Sequence, residues 1–302
     1  MTVIHVIDAF TRTPGQGNRA GVVLEAEGLS SSEMQAIAGF AGFSETAFVL
    51  PAQGKDHDLQ VRYFTPSAEV PICGHATVAA HFLRARMLGL PDYRVRALTG
   101  AGVLPVRAAE GGADMQVEMT QGAVVHGPVL EAADRKELLA ALGIGEAELV
   151  QGLPVQVVST GHSKVMVPLR HRATVDRLEP DLPRLAALSK RISCNGYFPF
   201  AAERADGSLE THGRMFAPAI GIAEDPVTGN ANGPAGAYLL AQGLLPDVPL
   251  QTYAGHQGRA MGRPGTVFVT LDQTGSSLSV RVSGHAVEAG TLTFPAARPH
   301  SG

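Results

Sequence analysis

The chain has few of the residues that mark several common protein classes. Its 302 residues include no tryptophan, 5% aromatic residues and 17% charged residues. The two cysteines, Cys73 and Cys194, are too few for a disulfide framework and lack the C-x-x-C spacing of zinc and redox sites. We therefore expect two free thiols.

Excess basic charge is also lacking. The chain has 24 Lys and Arg against 28 Asp and Glu, so nothing predicts a nucleic-acid partner or an anionic lipid surface. The long uncharged stretch from Pro226 to Pro246 contains four glycines and Pro234, which excludes a typical membrane-spanning helix. The opening segment TVIHVIDAF has no export pattern, so we expect a cytoplasmic protein without a membrane segment.

Motifs for nucleotides and metals are missing as well. The sequence contains neither G-x-G-x-x-G nor G-x-x-x-x-G-K, and Lys164 accompanies no cofactor signature. His162, His212, His256 and His285 are scattered singly, without the spacing of a helical metal pair. We therefore expect no cofactor and no metal, and chemistry that comes from side chains.

The chain does contain an internal repeat at half its length. The first copy, VRYFTPSAEVPICGHATVAAHFLRARMLGL, starts at Val61, and the second, GRMFAPAIGIAEDPVTGNANGPAGAYLLAQGLL, starts at Gly213. The aligned pairs include Arg62 with Arg214, Phe64 with Phe216, Glu69 with Glu224 and Gly74 with Gly229. Each copy is typical of a strand, a proline-bearing loop and a glycine that opens a nearly uncharged helix. Such helices are buried.

The repeat predicts an α+β fold with two pseudo-symmetric domains. Each domain would be an antiparallel or mixed sheet wrapped round a central helix. We place the first domain at 1–125, with the C-terminal strand 287–302 as a candidate to complete it, and the second at 126–286. A cleft between them is the natural place for a ligand.

The starts of the two central helices, at Gly74 and Gly229, are candidate binding positions. Their free N–H groups and the helix dipole favour a carboxylate or phosphate, and we expect both starts to face the cleft. Tight packing at a glycine is the alternative for either start alone. Pro234 is expected within the first turn of the second helix, where its missing N–H costs nothing.

Three titratable residues lie near these starts in the sequence. Glu45, in GFSETAFVL, lies between aromatic residues at the start of a predicted strand and would make a usable general base. Asp225 precedes the second helix, and His75 follows Gly74 in the first. Each also has an ordinary structural role: a strand-end or capping glutamate, a capping aspartate and a structural histidine.

The motifs GNRAGVV, GFSETAFVL, FTPSAEVPICGHAT and RMFAPAIGIAEDPVTGNANGP resemble the PhzF family of phenazine-biosynthesis isomerases over essentially the whole chain. The resemblance implies a fold shared with diaminopimelate epimerase and proline racemase. It also implies an enzyme without metal or cofactor that forms homodimers and acts on a small carboxylate-bearing substrate.

Carried over by position, the resemblance implies that Glu45 is the acid/base and that His75 and Asp225 support it. Asn18, in GQGNRAG, would lie near the substrate carboxylate. Asn230 occupies the position of a serine in the phenazine enzyme, so that enzyme's substrate is not assumed here. The leading hypothesis is an isomerase in which Glu45 moves a proton and shifts a double bond.

Two alternatives remain open at this point. Racemases of similar fold use two thiols, one at each helix start, and Cys73 occupies one such position. The counterpart position holds Thr228, and Cys194 is expected on a strand, pointing away from the face of Asn195, which aligns with Glu45. The alternatives are therefore an amino-acid or hydroxy-acid racemase that uses Cys73, and a non-catalytic carboxylate-binding or interaction module.

Overall fold

The computed structural model describes residues 1–111 and 114–295. The chain divides into two compact units: unit 1 contains Met1–Met119 and the chain from Gly284 onward, and unit 2 contains Thr120–Ser283. The boundaries expected from the sequence were 125 and 286. Residues 296–302 of the expected C-terminal strand lie outside the described residues. In the described part of the chain, no helix is both long and apolar enough to cross a membrane.

Unit 1 is mostly strand, with two helices. Its strands are β1 (Thr2–Ala9), β2 (Asn18–Val23), β3 (Thr46–Pro51), β4 (Leu59–Phe64), β5 (Glu69–Val70), β6 (Asp92–Thr99), β7 (Gly102–Gly111) and β8 (Asp114–Thr120). Its helices are α1 (Ser31–Ala41) and α2 (Gly74–Met87).

Unit 2 has the same general content with more short elements. Its strands are β9 (Val125–Val129), β10 (Gln156–Ser159), β11 (Lys164–Leu169), β12 (Tyr197–Ala205), β13 (Ser208–Gly213), β14 (Met215–Ala217), β15 (Ile222–Asp225), β16 (Leu250–Gln257) and β17 (Gly265–Asp272). Its helices are α3 (Ala132–Ala141), α4 (Arg172–Asp176), α5 (Leu182–Arg191) and α6 (Gly229–Ala241). The last strand, β18 (Ser279–Phe294), begins in unit 2 and ends in unit 1.

The two units share one order of strand pairing. In unit 1 the pairs β1–β2, β3–β4 and β6–β7 are antiparallel, whereas β2–β3 and β4–β6 are parallel. In unit 2 the pairs β10–β11, β12–β13 and β16–β17 are antiparallel, whereas β11–β12 and β13–β16 are parallel. Each sheet is therefore mixed, and the repeat in the sequence is a repeat of topology.

In unit 1 the sheet closes on itself because β18 pairs with both β1 and β8. Closure leaves no free strand edge in that ring. The segment between Gln121 and Gly152 contains α3 and also β9, which pairs with β10 as β18 pairs with β1.

The two central helices are buried on nearly all sides. Ten of the 14 residues of α2 and ten of the 13 residues of α6 are buried, as their lack of charge predicted. The expectation for Pro234 was wrong in detail, because α6 begins at Gly229 and the proline lies beyond its first turn. There the missing N–H removes a helix hydrogen bond to the carbonyl of Asn230.

Helices α1 and α5 follow equivalent strands in the two units. In each helix the side chain of the N-cap residue accepts a hydrogen bond from a backbone N–H of the first turn. A capping box begins α1: the Ser30 hydroxyl accepts from the Glu33 N–H, and the Glu33 carboxylate accepts from the Ser30 N–H. Asp181 accepts from the N–H of Arg184 at the start of α5. The central helices differ, since neither N-cap side chain, that of Cys73 or that of Thr228, makes a capping hydrogen bond.

The repeat also preserves an ion pair in each unit. Arg62 binds Glu69 through two hydrogen bonds of 2.8 and 2.6 Å, and Arg214 binds Glu224 through two of 2.8 Å. Each guanidinium also lies near the ring of the phenylalanine two residues later, at 5.1 Å in unit 1 and 4.9 Å in unit 2. These are the residues that the sequence alignment paired.

The two ion pairs differ in burial, which allows a matched comparison. The side chains of Arg214 and Glu224 are 10% and 16% exposed, whereas those of Arg62 and Glu69 are 22% and 44% exposed. We expect Glu224→Gln to lower the free energy of unfolding by about 3 kcal/mol, because it leaves a buried guanidinium without its charge partner. Glu69→Gln should cost about 1 kcal/mol or less.

Urea unfolding of the two variants and the unaltered protein measures this difference. Equal losses in the two variants would show that burial does not set the contribution of these pairs.

Candidate functional site

Glu45 is held beside β2, at the beginning of β3. It immediately precedes β3, and its carbonyl accepts a 3.1 Å hydrogen bond from the N–H of Gly21 in β2. A Cβ atom at Gly21 would lie 2.8 Å from the Thr46 hydroxyl oxygen, so a side chain at residue 21 would displace the buried Thr46 side chain next to Glu45. The Glu45 side chain is 14% exposed, so it is largely desolvated but still reachable.

His75 brings the start of α2 to this carboxylate. Its Nε2 atom lies 3.3 Å from Oε2 of Glu45 and 3.2 Å from the Ser44 hydroxyl oxygen. Its Nδ1 atom lies 3.4 Å from Sγ of Cys73. The structure therefore brings Glu45, His75 and Cys73 together, and Sγ of Cys73 is also 4.0 Å from Nε2 of His75.

The first turn of α2 is open at its glycine. A Cβ atom added to Gly74 would meet no atom within 4 Å, which means that space is available beside the backbone there. The preceding residue, Cys73, is extended and provides no side-chain cap. A carboxylate, an imidazole ring and a helix start next to open space can bind an anion and move a proton within it.

The equivalent helix start in unit 2 has other chemistry. Thr228 takes the place of Cys73, and its hydroxyl donates a short hydrogen bond to the carboxylate of Asp225. Gln257 braces both residues, because its Oε1 accepts from the Thr228 N–H at 3.1 Å and its Nε2 donates to the Asp225 carbonyl at 2.7 Å. Asp225 is thus fixed at the entrance to α6.

Gly229 and Asn230 form the first residues of α6. Gly229 is buried, and Asn230 accepts a 2.9 Å hydrogen bond at Oδ1 from Nε2 of Gln121. Gln121 in turn accepts from the Thr160 hydroxyl at 2.6 Å. The Asn230 amide group therefore has its oxygen occupied, and its N–H₂ is the part that could contact a ligand.

The counterpart of Glu45 in unit 2 is an asparagine that is tied down. The Ser163 hydroxyl donates to Oδ1 of Asn195 at 3.0 Å and accepts from the Asn195 N–H at 3.1 Å. Cys194 was expected on a strand, and this was wrong: it lies in the bend before β12, where its buried thiol donates to the Gly196 carbonyl. It belongs to the hydrophobic core of unit 2.

Asn18 is the first residue of β2, opposite Ala9 of β1, and is 2% exposed. Its neighbour Arg19 binds the fully buried Asp8 through hydrogen bonds of 2.7 and 2.9 Å. The Asp8 carboxylate also accepts from the N–H of Gly15, which fixes the loop that leads into β2. Asn18 is therefore held firmly in unit 1.

Lys164, at the start of β11, was not predicted as a site residue. The residue is 3% exposed, and burial lowers the pKa of its ammonium group to about 8, against the opposing attraction of Cys194 and Asp225. Its Nζ atom donates a 3.3 Å hydrogen bond to the Ser163 carbonyl. A single lysine in the apolar strand KVMVPL was the available sequence signal. Gln257, which had no such signal, was also missed.

The side chains of Glu45, Cys73 and His75 offer an oxygen, a sulfur and a nitrogen atom, which are the donor types that bind metal ions in proteins. Among the described residues, one donor atom from each lies within 4.8 Å of the other two. The histidines examined in the sequence were isolated ones, and this group forms only when β3 and α2 meet.

Comparisons with known proteins agree with the fold and the motifs. Residues 7–291 match the family described as phenazine biosynthesis-like protein, PhzC-PhzF. The uncharacterized isomerase YddE of Escherichia coli K12 is 48% identical, over 94% of this chain and 95% of its own length. Trans-2,3-dihydro-3-hydroxyanthranilate isomerase of Pseudomonas aeruginosa is 33% identical, over 93% of this chain and 94% of its own.

Solved structures give the same result. The PhzF-family protein of Bacillus anthracis superposes with a TM-score of 0.87 and 32% identity, covering 96% of this chain and 98% of its own. A probable proline racemase from Agrobacterium radiobacter has a TM-score of 0.65 at 12% identity, covering 98% of this chain and 94% of its own, and so shares the fold. The chain is therefore an α+β protein of the phenazine biosynthesis-like PhzC-PhzF family, with an isomerase-type function.

Proposed function

We propose that the protein moves a proton between two carbons of a small, unsaturated carboxylic acid, with Glu45 as the single acid/base. The observation that carries this proposal is the contact between His75 and Glu45 in unit 1, set against the bound amide of Asn195 at the equivalent position in unit 2. At this position unit 1 has a carboxylate that can carry a proton, and unit 2 has a neutral amide. Such asymmetry suits a proton that is taken and returned by one side chain.

In this mechanism the Glu45 carboxylate removes a C–H proton, and the electron pair left behind spreads through the conjugated system. The double bond shifts, and the Glu45 carboxyl group returns the proton to another carbon. The N–H groups at the Gly74 helix start would stabilise the developing negative charge, a contribution of about 3 kcal/mol in comparable sites. His75 would hold the carboxylate in position, and no atom is lost or gained.

Asp225, Gly229 and Asn230 would bind polar groups of the substrate. The Asp225 carboxylate is oriented by Thr228, and Asn230 has an amide N–H₂ to donate. We also assign Lys164, which the resemblance did not indicate, as a source of positive charge near Asp225. Asn18 would contact the substrate carboxylate.

The substrate would be a carboxylate with an adjacent unsaturated system. The Pseudomonas relative is named for the isomerisation of trans-2,3-dihydro-3-hydroxyanthranilate, which is a molecule of this class. The serine-to-asparagine difference at Asn230 favours a different member of the class. We further propose catalysis without a metal or cofactor, two domains that arose by duplication, a homodimer and a cytoplasmic location.

A racemase or epimerase that uses Cys73 is the second candidate. The 3.4 Å contact between Sγ of Cys73 and Nδ1 of His75 favours it, because an imidazole can accept a thiol proton. The absence of a thiol at Thr228 weighs against a two-thiol mechanism. A carboxylate-binding module without catalysis is the third candidate, and the ordered Glu45 and His75 pair argues against it.

Replacement of the proposed base is the first test. Glu45→Gln should lower the rate of deuterium incorporation into a substrate by about 10²- to 10⁴-fold, because the amide cannot accept the C–H proton. The measurement incubates the metal-free protein with a panel of unsaturated and hydroxylated carboxylates in heavy water and reads the mass of each acid.

Glu27→Gln is the matched control, since Glu27 is an exposed glutamate of the same unit, between β2 and α1. It should exchange at the unaltered rate. A Glu45→Gln protein that is folded and retains the full exchange rate would remove Glu45 from the mechanism.

The thiol distinguishes the isomerase from the racemase. Cys73→Ala should reduce exchange by less than about tenfold if Glu45 is the base, because the thiol then only packs against His75. A loss as large as that of Glu45→Gln, with exchange confined to the α-carbon of a substrate, would instead support the racemase.

Replacement of Lys164 tests whether its buried charge lowers the stability of the protein and serves its function. Its folded pKa of about 8 lies below the ordinary value of 10.5, so the unfolded chain binds more protons between these values and stability rises with pH through this window. Below pH 8 the buried ammonium costs about 3 kcal/mol. Lys164→Met should therefore raise the free energy of unfolding by about 1–3 kcal/mol at pH 7 and by much less near pH 10.

The same variant should lose substrate turnover if the charge serves binding. Unfolding curves at the two pH values, together with the heavy-water assay, measure both effects. A variant that is less stable at pH 7 would contradict the cost assigned to the buried ammonium group. A variant that is more stable and keeps full turnover would contradict the functional assignment of Lys164.

A further inference from the structure

We propose that Glu45, Cys73 and His75 form a Zn²⁺ site, and that Zn²⁺ binding there reversibly switches the enzyme off. The inhibition rests on the proposed function of Glu45, whereas the binding of the ion rests on geometry alone. Catalysis would use the Glu45 carboxylate without a metal, and the same carboxylate would be a zinc ligand in the inhibited state.

The donor set is the first argument. A thiolate sulfur, an imidazole nitrogen and a carboxylate oxygen are the three donor types that Zn²⁺ takes in proteins, and three protein ligands leave one position for water. The hard ions Mg²⁺ and Ca²⁺ prefer oxygen donors and have no use for the sulfur of Cys73. The site should therefore select Zn²⁺ over these more abundant ions.

The distances are the second argument. Ligands of a tetrahedral zinc ion lie about 3.3–3.6 Å apart, given bonds of about 2.0–2.3 Å. Nε2 of His75 is 3.3 Å from Oε2 of Glu45 and 4.0 Å from Sγ of Cys73, and the three donor atoms all lie within 4.8 Å of one another. A shift of about 0.5 Å in the Cys73 sulfur would bring it to tetrahedral spacing from Nε2.

Burial is the third argument. Cys73 is 8% exposed, and the His75 and Glu45 side chains are 7% and 14% exposed, so these donors are already ordered and largely out of water. A preformed set of ligands costs little conformational entropy on binding. Glu45 is the most exposed of the three, and open space lies beside Gly74, which gives the ion an approach and the fourth ligand a place.

The chemical consequence follows from coordination. Zn²⁺ bound to Oε2 of Glu45 withdraws electron density from the whole carboxylate, so the carboxylate becomes too weak a base to remove a C–H proton. The Cys73 thiol loses its proton to solvent when the ion binds, and removal of the ion restores both groups. No bond to carbon forms and nothing is oxidised. The ion would thus act as a reversible inhibitor.

The equivalent place in unit 2 cannot bind in this way. Thr228 and Asn195 replace the thiol and the carboxylate, and the hydroxyl of Thr228 is already bonded to Asp225. Cys194 lies in the hydrophobic core of that unit. One tight site per chain is therefore expected.

Titration of the metal-free protein with Co²⁺ and Zn²⁺ tests the site directly. Co²⁺ reports a thiolate ligand through a charge-transfer absorption, and Zn²⁺ affinity is measured by competition with a chromophoric chelator. We expect one equivalent of each ion to bind, with the thiolate band present. Cys73→Ser should abolish the band, and it and Glu45→Gln should each weaken Zn²⁺ binding by at least about tenfold, the loss typical of even an outer-shell partner.

Cys194→Ser is the matched control, because it removes the other buried thiol and should keep both the band and the affinity. A Co²⁺ complex without the band, or Zn²⁺ affinity that is equal in the Cys73→Ser and unaltered proteins, would overturn the site. Circular dichroism of each variant confirms that a loss of binding is not a loss of fold.

The heavy-water assay then separates the two proposals. Zn²⁺ at one equivalent should stop deuterium incorporation, and a chelator should restore it. Zn²⁺ that binds through Cys73 without slowing Glu45-dependent exchange would overturn the inhibition. A metal-free protein that exchanges no acid at all would defeat the proposed function and its inhibition, while the binding data would still decide the metal site.

Discussion

One contact in unit 1 organises the candidate site, where the imidazole of His75 meets the carboxylate of Glu45. The Glu45 backbone is placed by a hydrogen bond from the N–H of Gly21 in β2, and His75 lies in the first turn of the helix that starts at Gly74. Residues distant in the sequence thus meet through their side chains at this point.

The two units share one framework, and they differ in the chemistry of their helix starts. The pairing order of the strands, the buried central helices and the bidentate arginine–glutamate pairs are the same in both units. The residues at the helix starts are not the same, because Cys73 corresponds to Thr228 and Glu45 to Asn195. The structural framework is therefore the same in both units, whereas the residues at the candidate site differ, as the proposed single proton carrier requires.

Much of the fold could be predicted because its signals are local. The two copies of the repeat, the capping box at Ser30 and the nearly uncharged helices after Gly74 and Gly229 are visible in short segments of sequence. The parallel pairing of β2 with β3 and the strand β9 were not specified, because strand register depends on contacts between distant segments.

Within the site, Glu45 and His75 were identifiable by motif, whereas the role of Lys164 depends on burial that a sequence pattern does not show. The placement of Cys194 failed for a related reason: Ser193 adopts a left-handed conformation that ends α5 and delays the strand.

The most direct test of a single proton carrier follows the transferred hydrogen itself. The first substrate identified, deuterated at the carbon that loses its proton, is converted in ordinary water and the product is analysed by mass at low conversion. Return by one carboxyl group predicts that part of the deuterium reappears at the second carbon, and a product that carries only solvent hydrogen there would contradict it.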